Sequence, residues 1–355
     1  MLGKAPSINY YYASIDDEDL YFSGRATFEK YPSSGLGSDA WLRPNNEIKV
    51  ILDANEGRIE ELSNLATLFV GLQTSSDRIY FISPDFEESN LVYFSDCNGN
   101  SRVIEKGILR PALHDVVLRK YSKAKANEYI IFPYSIDGGR AKLYSAEYLE
   151  EKYPHAYSYL LEFKPELLAR SNRQMTEDNW YIYGRSQSLA KFENGIPHLI
   201  WSVMSLGANY AYDDESTCFT GGGNGPYYGL AMREDVKESI LYLQAVLNHP
   251  FVESVLKQMT NFFGGGYYAH GKQFVDKLPI RRIDFAKQEE VDCHNQIVAN
   301  VERIMKLEAE RDKAISSDQR ELIDNAKSAC SDTIERLVDW LYGIEEETSY
   351  SETKS

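Results

Sequence analysis

The 355-residue chain carries only four cysteines, Cys97, Cys218, Cys293 and Cys330, with no C-x-x-C pair among them and no histidine pair nearby. Such spacing provides neither a zinc module nor a disulfide framework, so the expectation is four reduced, buried thiols in a cytoplasmic protein. Long apolar runs are missing as well. Nothing approaches the roughly 20 residues that cross a bilayer, and the opening stretch M-L-G-K-A-P-S-I-N-Y-Y-Y lacks a signal-peptide core, which points to a soluble protein that is neither exported nor membrane-bound. The six histidines are scattered without metal-ligand spacing and read as structural. Neither H-E-x-x-H nor G-x-S-x-G occurs, and the chain contains no Pro-Pro. The last absence removes the Asn/Asp-Pro-Pro-aromatic motif with which amino-group methyltransferases hold their target base. No catalytic residue and no metal ligand is assigned.

Two motif fragments imitate catalysis. G-Y-Y-A-H-G-K-Q, from Gly266 to Gln273, has P-loop spacing with Lys272 in the lysine position. A P-loop requires Ser or Thr next, to hold magnesium, and a long helix behind it; here Gln273 follows and Pro279 cuts the element short. Pro84-Asp85 could open a nuclease motif, yet the nearest well-placed carboxylate-x-Lys, Glu150 and Lys152, lies far downstream. G-L-G-S-D-A at Gly35 has no strand before it and reads as a turn. G-G-G-N-G-P at Gly221 reads as a flexible loop.

What is abundant is acid, unevenly spread. The net charge is -16, which argues against a simple nucleic-acid binder, because phosphate contacts need clustered Lys and Arg. From Arg102 to Lys142, however, nine basic residues stand against four acidic ones, and from Phe251 to Phe285 five against three. From Ala286 onward nine basic residues face seventeen acidic ones. A basic centre beside an acidic tail fits a protein that holds DNA on one face and another protein elsewhere.

Periodicity predicts an α+β fold. Residues 1–40, Tyr-rich and acidic, read as an arm or linker. Helical spacing follows Ile48 and leads through Leu65, and Leu68 to Ile82 reads as strand, turn, strand with a T-S-S-D tip. Strands are expected at Leu91–Phe94, Tyr129–Tyr134, Trp180–Tyr183, His198–Val203 and Cys218–Thr220. Helices are expected over Ser145–Phe163 and Leu230–His249. Apolar residues from Ile297 to Leu341 then recur at three and four, with a break at Ile315–Asp318, and predict an antiparallel helical hairpin with arms of about 35 to 40 Å at 1.5 Å per residue. The division is 41–285 for a β-rich body with flanking helices, 286–345 for the hairpin and 346–355 for a disordered tail.

Seven segments, in order, carry a family resemblance: D-A-W-L-R at Asp39, L-F-V-G-L-Q-T-S-S-D-R-I-Y-F-I at Leu68, I-L-R-P-A-L-H-D at Ile108, Y-I-I-F-P-Y at Tyr129, W-Y-I-Y-G-R-S-Q-S-L at Trp180, G-G-G-Y-Y-A-H-G-K-Q-F-V-D-K-L-P-I at Gly264 and L-V-D-W-L-Y-G-I at Leu337. Together they resemble the TaqI-like C-terminal specificity (target-recognition) domain of adenine-specific DNA methyltransferases and restriction-modification enzymes, relatives of which occur in type I specificity subunits. The resemblance implies that the chain reads a duplex sequence while a separate methyltransferase domain or subunit binds S-adenosylmethionine and acts on adenine. The chain itself holds no cofactor in this reading, and is either a free subunit or a fragment of a larger phage-defence enzyme.

Matched onto this sequence, the family's loops place Thr74, Ser75, Ser76, Asp77 and Arg78 in a polar tip able to reach base edges or phosphates. Arg185 and Gln187 are side chains of the kind that pair with guanine and adenine in a major groove. Gly265, between Gly264 and Gly266, lets backbone approach a phosphate, with Tyr267, Tyr268, His270 and Lys272 beside it. Arg119, Lys120, Lys123, Lys125, Arg140, Arg281 and Arg282 are the expected phosphate contacts. Trp180, Tyr181, Tyr183 and Trp201 are expected in the core. Two rivals stand beside this reading: a protein-interaction module that has lost DNA binding, and a nuclease with an unrecognised site.

Overall fold

The computed structural model describes residues 9–12, 29–32, 46–170, 175–221, 226–260 and 262–344. The turn expected at Gly35, the D-A-W-L-R segment, most of the glycine loop after Gly221 and the last ten residues lie outside them. The chain forms two compact units, Met1–Asn45 and Asn46–Ser355. In the first, strands Asn9–Tyr12 and Glu29–Pro32 pair antiparallel with Tyr10 opposite Tyr31.

The second unit is α+β. One four-stranded sheet runs in the order Cys218–Phe219, Leu109–Leu113, Glu128–Ile131, Phe81–Ile82; a second runs Ala211–Asp213, His198–Ser202, Tyr227–Met232, Ala66–Val70. Pairing is antiparallel apart from Cys218–Phe219 against Leu109–Leu113. A meander of Pro84–Glu88, Leu91–Ser95 and Ser101–Glu105 flanks the first sheet's core. Each large sheet anchors its own apolar cluster. The first gathers Phe81, Ile130, Tyr159, Leu160, Trp180 and Tyr183; the second gathers Leu68, Trp201, Leu230, Leu243 and Phe251 with Ile297, Val301, Ile334 and Val338 of the C-terminal helices. Those helices therefore close a core instead of projecting from it. No helix of the described residues is long and apolar enough to cross a membrane.

The C-terminal hairpin matches its periodicity. Helices Gln288–Lys313 and Ser317–Tyr342 have 26 residues each, about 39 Å at 1.5 Å per residue. Arg311 pairs with Asp324 at 2.7 Å and Lys327 with Glu308, a register that only antiparallel helices allow. Ser316 caps the second helix by accepting from the Gln319 amide at 3.2 Å, and Gly343, at φ 68°, ends it in the left-handed conformation.

Several local expectations are overturned, each for a physical reason. Leu68 to Ile82 is no hairpin: Ala66–Val70 pairs with Tyr227–Met232 in one sheet and Phe81–Ile82 with Tyr129 and Ile130 in the other, so the chain crosses between sheets. The polar cluster winds instead of reversing. Ser76 donates its amide to Thr74 Oγ1 at 3.0 Å, the Thr74 hydroxyl binds Asp77, and a single helical turn, Asp77–Tyr80, follows.

Leu230 lies in the strand Tyr227–Met232, and the helix expected from there begins only at Ile240, where Ser239 Oγ accepts from the Leu241 amide. A strand buried between two neighbours shows no alternation, so its apolar run reads equally well as helix. Ser145–Phe163 divides into Ala146–Lys152 and Pro154–Glu162, because Pro154 cannot donate to the preceding turn. Trp180–Tyr183 joins no ladder. Its backbone is satisfied by side chains: Tyr80 OH donates to Tyr181 O at 2.8 Å, Arg170 Nη2 to Ile182 O at 2.7 Å, and the Tyr183 amide to Tyr134 OH at 2.8 Å. Trp180, Tyr181, Tyr183 and Trp201 are all buried, as expected. Of the thiols, Cys218, Cys293 and Cys330 are buried but Cys97 is exposed.

Candidate nucleic-acid interface

Beyond Val70 the chain leaves its sheet under tight steric control. A Cβ on Gly71 would lie 2.5 Å from Phe219 O and 2.6 Å from Gly221 N, so the crossing to Phe219–Gly221 admits only glycine there. Leu72 bridges to Thr220, and Gln73 bridges to Arg185. The second bridge is decisive for the site, since the Arg185 amide donates to Gln73 O at 3.0 Å and the Gly184 amide to Thr74 O at 2.9 Å. Two segments more than a hundred positions apart are thereby clamped edge to edge.

A residue that sequence reading missed completes the clamp. Arg170, at the end of a short helix, donates to Thr74 O at 2.6 Å, Leu167 O at 2.9 Å, Trp180 O at 3.1 Å and Ile182 O at 2.7 Å. One guanidinium thus ties the 74–78 turn to the 180–185 segment. Nothing in a lone arginine after an unremarkable helix announces this.

The clamp borders a cleft of about 620 Å³ lined by Leu72 to Arg78, His114, Asp115, Glu166, Thr220, Gly221 and Pro226. Within it Ser75 is exposed, with φ 57°, and Ser76 half-buried. Thr74 is buried and serves the turn rather than the surface. Arg78 is exposed but paired with Glu166, and its Nη1 lies 3.3 Å from Cys97 Sγ. Arg185 is exposed with no side-chain partner among the described residues. Gln187 is half-buried, donating to Gly71 O at 3.3 Å.

A second cleft, about 470 Å³, continues along the segment that leaves the first. It is lined by Val116 to Lys120, Ser202, Met204 to Asn209 and Tyr267. Tyr227 steadies the shared wall, accepting from the Val116 amide and donating to Val116 O, both at 2.6 Å. Burial raises that phenol's pKa. Gly265, at φ 80°, and Gly266, at φ 84°, turn the chain into the strand Tyr267–Ala269, which brings exposed Tyr267 to this side; Tyr268, next in the strand, faces the other way. The Lys257 ammonium lies 5.0 Å from the Tyr268 ring.

The remaining expected contacts are placed otherwise. His270 is buried, its Nε2 3.1 Å from Glu253 Oε2. Arg281 is buried too, binding Glu290 and Leu341 O, each at 3.2 Å. Neither lines a cleft: strand pairing turns Arg281 toward the second core, and His270, just past the strand Tyr267–Ala269, is held inward by Glu253. Arg282 is held between Glu60 at 2.6 Å and Glu238 at 2.9 Å. Lys272 binds Asp276 at 2.9 Å on a four-residue helix, Lys272–Val275, unlike a P-loop lysine. Arg140, at the exposed tip of the hairpin Tyr134–Leu143, has no side-chain partner among the described residues; the Gly139 amide beside it donates to Glu193 at 2.9 Å.

The basic centre meets the acidic hairpin. Lys120 pairs with Glu335 at 2.8 Å, Lys125 with Asp312, and Arg119 lies 4.0 Å from Glu308. Lys123 is held by Asp214 at 2.7 Å and Glu215 at 2.9 Å, and the Asp214 hydrogen bond, first among the causes, raises its pKa. Much of the local positive excess is thus balanced within the fold.

Among the described residues, no three His, Cys, Asp or Glu side chains come together as a metal site. The first cleft presents the Ser75 and Ser76 hydroxyls and the exposed Asp115 carboxylate beside the Arg78–Glu166 pair, and the second presents Arg119 and Lys120, groups suited to hydrogen bonding and charge recognition. No protein-family model matches the chain. Over 304 residues, 81% of its length, it is 28% identical to the type II restriction enzyme and methyltransferase RM.Eco57I of Escherichia coli, and it spans 30% of that relative. The likeness is therefore to one portion of a restriction-modification enzyme.

Proposed function

We propose that the chain is the DNA-reading part of a restriction-modification system and positions an adenine methyltransferase domain or subunit on a short duplex sequence. The supporting observation is the backbone clamp that ties the segment of exposed Arg185 to Gln73 and Thr74, next in the chain to Ser75, Ser76 and Arg78, while Gln187 donates to Gly71 O on the same stretch. Guanidinium and amide side chains read purine edges in a major groove, and hydroxyls reach phosphates or bases. Similarity to part of a combined restriction enzyme and methyltransferase agrees with a reader whose chemistry is supplied elsewhere. In this reading S-adenosylmethionine belongs to the methyltransferase partner, the work is cytoplasmic, and the service is phage defence.

A specific observation favours one rival. Arg119, Lys120, Lys123 and Lys125 all face carboxylates of the same chain, as they would in an interaction module that has lost its DNA. Selection from a random duplex library separates the two. A reader retains a defined sequence and releases it steeply as salt rises, whereas a module retains none. Within the retained site Arg185→Ala is expected to relax preference at one base pair, by about 1–3 kcal/mol of discrimination, more than it weakens binding overall. A uniform loss across sequences would make Arg185 a phosphate contact instead.

A further inference from the structure

The second cleft differs from the first in its rim. Val117 is 84% exposed, Leu206 59%, Met204 43% and Tyr267 42%. Single exposed apolar side chains are ordinary, but four around one cleft mark a surface that is covered in use. The turn carrying Leu206 is also stiff. The Ser202 amide donates to Asn209 Oδ1 at 2.9 Å, Asn209 Nδ2 to Ser205 Oγ at 2.8 Å, and Ser205 Oγ to Gly207 O at 2.5 Å. Met204 and Ser205 pair with Ala269 and Tyr268, and a Cβ on Gly266 would lie 3.5 Å from Leu206 Cδ2. The leucine is braced from beneath yet left open to solvent. Cations flank it: Arg119 and Lys120 line the same cleft, and Arg119, its side chain 75% exposed, is held by Glu308 only at 4.0 Å.

We propose that this rim enters the stack of a bound duplex and parts one base step, with Leu206 leading and Met204, Val117 and Tyr267 against the separated bases. The inference rests on the duplex-reading function above and adds to it a point of deformation. Rigid apolar side chains between cations suit this occupant: hydrophobic groups replace the lost stacking, and guanidinium and ammonium groups hold the phosphates on either side. Flexible pyrimidine–purine steps part most readily, so the retained sequence should carry one at a fixed distance from the base pair read by Arg185.

The test uses the chain alone with its selected duplex, in which 2-aminopurine replaces one base at a time across the site. The expected result is a severalfold rise in fluorescence at one or two neighbouring positions. Leu206→Ser should remove most of that rise while binding, followed by anisotropy, falls only a few-fold; Leu206→Phe should keep it. Thermal melting confirms that both variants are folded, as exposure of this side chain predicts. A bound duplex with no rise at any position, or a rise that survives Leu206→Ser, overturns the wedge and leaves sequence reading intact. Failure to retain any duplex overturns both.

Discussion

Gly71 and Gly221 show how closely the loop leading to Ser75 is drawn in. Phe219 O and Gly221 N stand within 2.6 Å of any Cβ added at Gly71, and all are backbone atoms that cannot swing aside. Gly71→Ala is therefore expected to destabilise by about 1–3 kcal/mol or more, seen as a lowered melting temperature, and to disturb the Gln73–Arg185 bridge that follows. A second residue-scale prediction concerns His249 and Asp339, whose Nε2 and Oδ1 are 3.4 Å apart. His249 Nδ1 accepts from the Phe251 amide at 3.2 Å, which leaves the proton on Nε2 for Asp339. Burial pushes His249 down to about 4 and Asp339 up to about 6, the latter with help from nearby Glu335. The signs oppose. Between pH 4 and 6.5 the unfolded chain protonates His249 more readily than the folded one, so stability falls as pH drops. Over pH 4 to 6 the folded chain holds the Asp339 proton more tightly, so stability falls as pH rises. Wild-type melting temperature should be nearly flat across this window. Asp339→Asn should expose the histidine's acid-side loss and His249→Asn the carboxylate's loss toward neutrality, each a shift of a few degrees. Parallel profiles for both variants would refute the pairing.

Among the elements, the hairpin's attachment depends on Arg281, placed on the strand Pro279–Arg281. Its amide donates to Tyr342 OH at 3.1 Å, its side chain binds Leu341 O and Glu290, and Tyr242 OH donates to its carbonyl at 2.6 Å. Arg281→Ala takes from buried Glu290 one of its two cationic partners, leaving Lys287 at 3.3 Å and the Asp284 amide at 2.9 Å, and should cost about 1–3 kcal/mol, with the hairpin becoming sensitive to protease before the sheets do. Equal sensitivity of both would show that the attachment is elsewhere. Arg281 also marks where sequence ran out. The hairpin was legible because its three- and four-residue spacing is sustained from Ile297 to Leu341 and broken at a capped turn. Arg185 and Gln187 were legible as chemistry. Their neighbourhood was not, since it depends on a crossover between sheets at Gly71 and on four carbonyls gathered by Arg170, all set by long-range pairing. Charge misled for the same reason: a basic residue on a strand reads as a surface cation until the pairing register turns it inward, as for Arg281, or until a distant helix brings its carboxylate, as for Lys120.

Over the whole molecule, a net charge of -16 and a duplex-reading function are reconciled only if positive charge is kept where phosphates arrive. Instead, Glu308, Asp312 and Glu335 of the hairpin stand against Arg119, Lys125 and Lys120. The three cations have side chains 46–75% exposed, whereas Glu308 and Glu335 are only 18% and 30% exposed, so phosphates can compete for the cations from the solvent side. On the proposed duplex-reading function, exchanging one partner for another releases fewer counterions than binding through free cations, so the hairpin would lower both affinity and its salt dependence. Replacing the three carboxylates together, Glu308→Gln, Asp312→Asn and Glu335→Gln, is expected to tighten duplex binding at low salt. It should also steepen the slope of log affinity against log salt by about 0.9 for each cation that reaches a phosphate, up to about 3 in total. Anisotropy titrations of one duplex over a salt series measure both quantities. An unchanged slope with unchanged melting temperature would mean that these cations never meet DNA. The basic centre would then serve the hairpin alone, and the proposed reading surface would shrink to Arg185 and the Ser75–Arg78 turn clamped beside it.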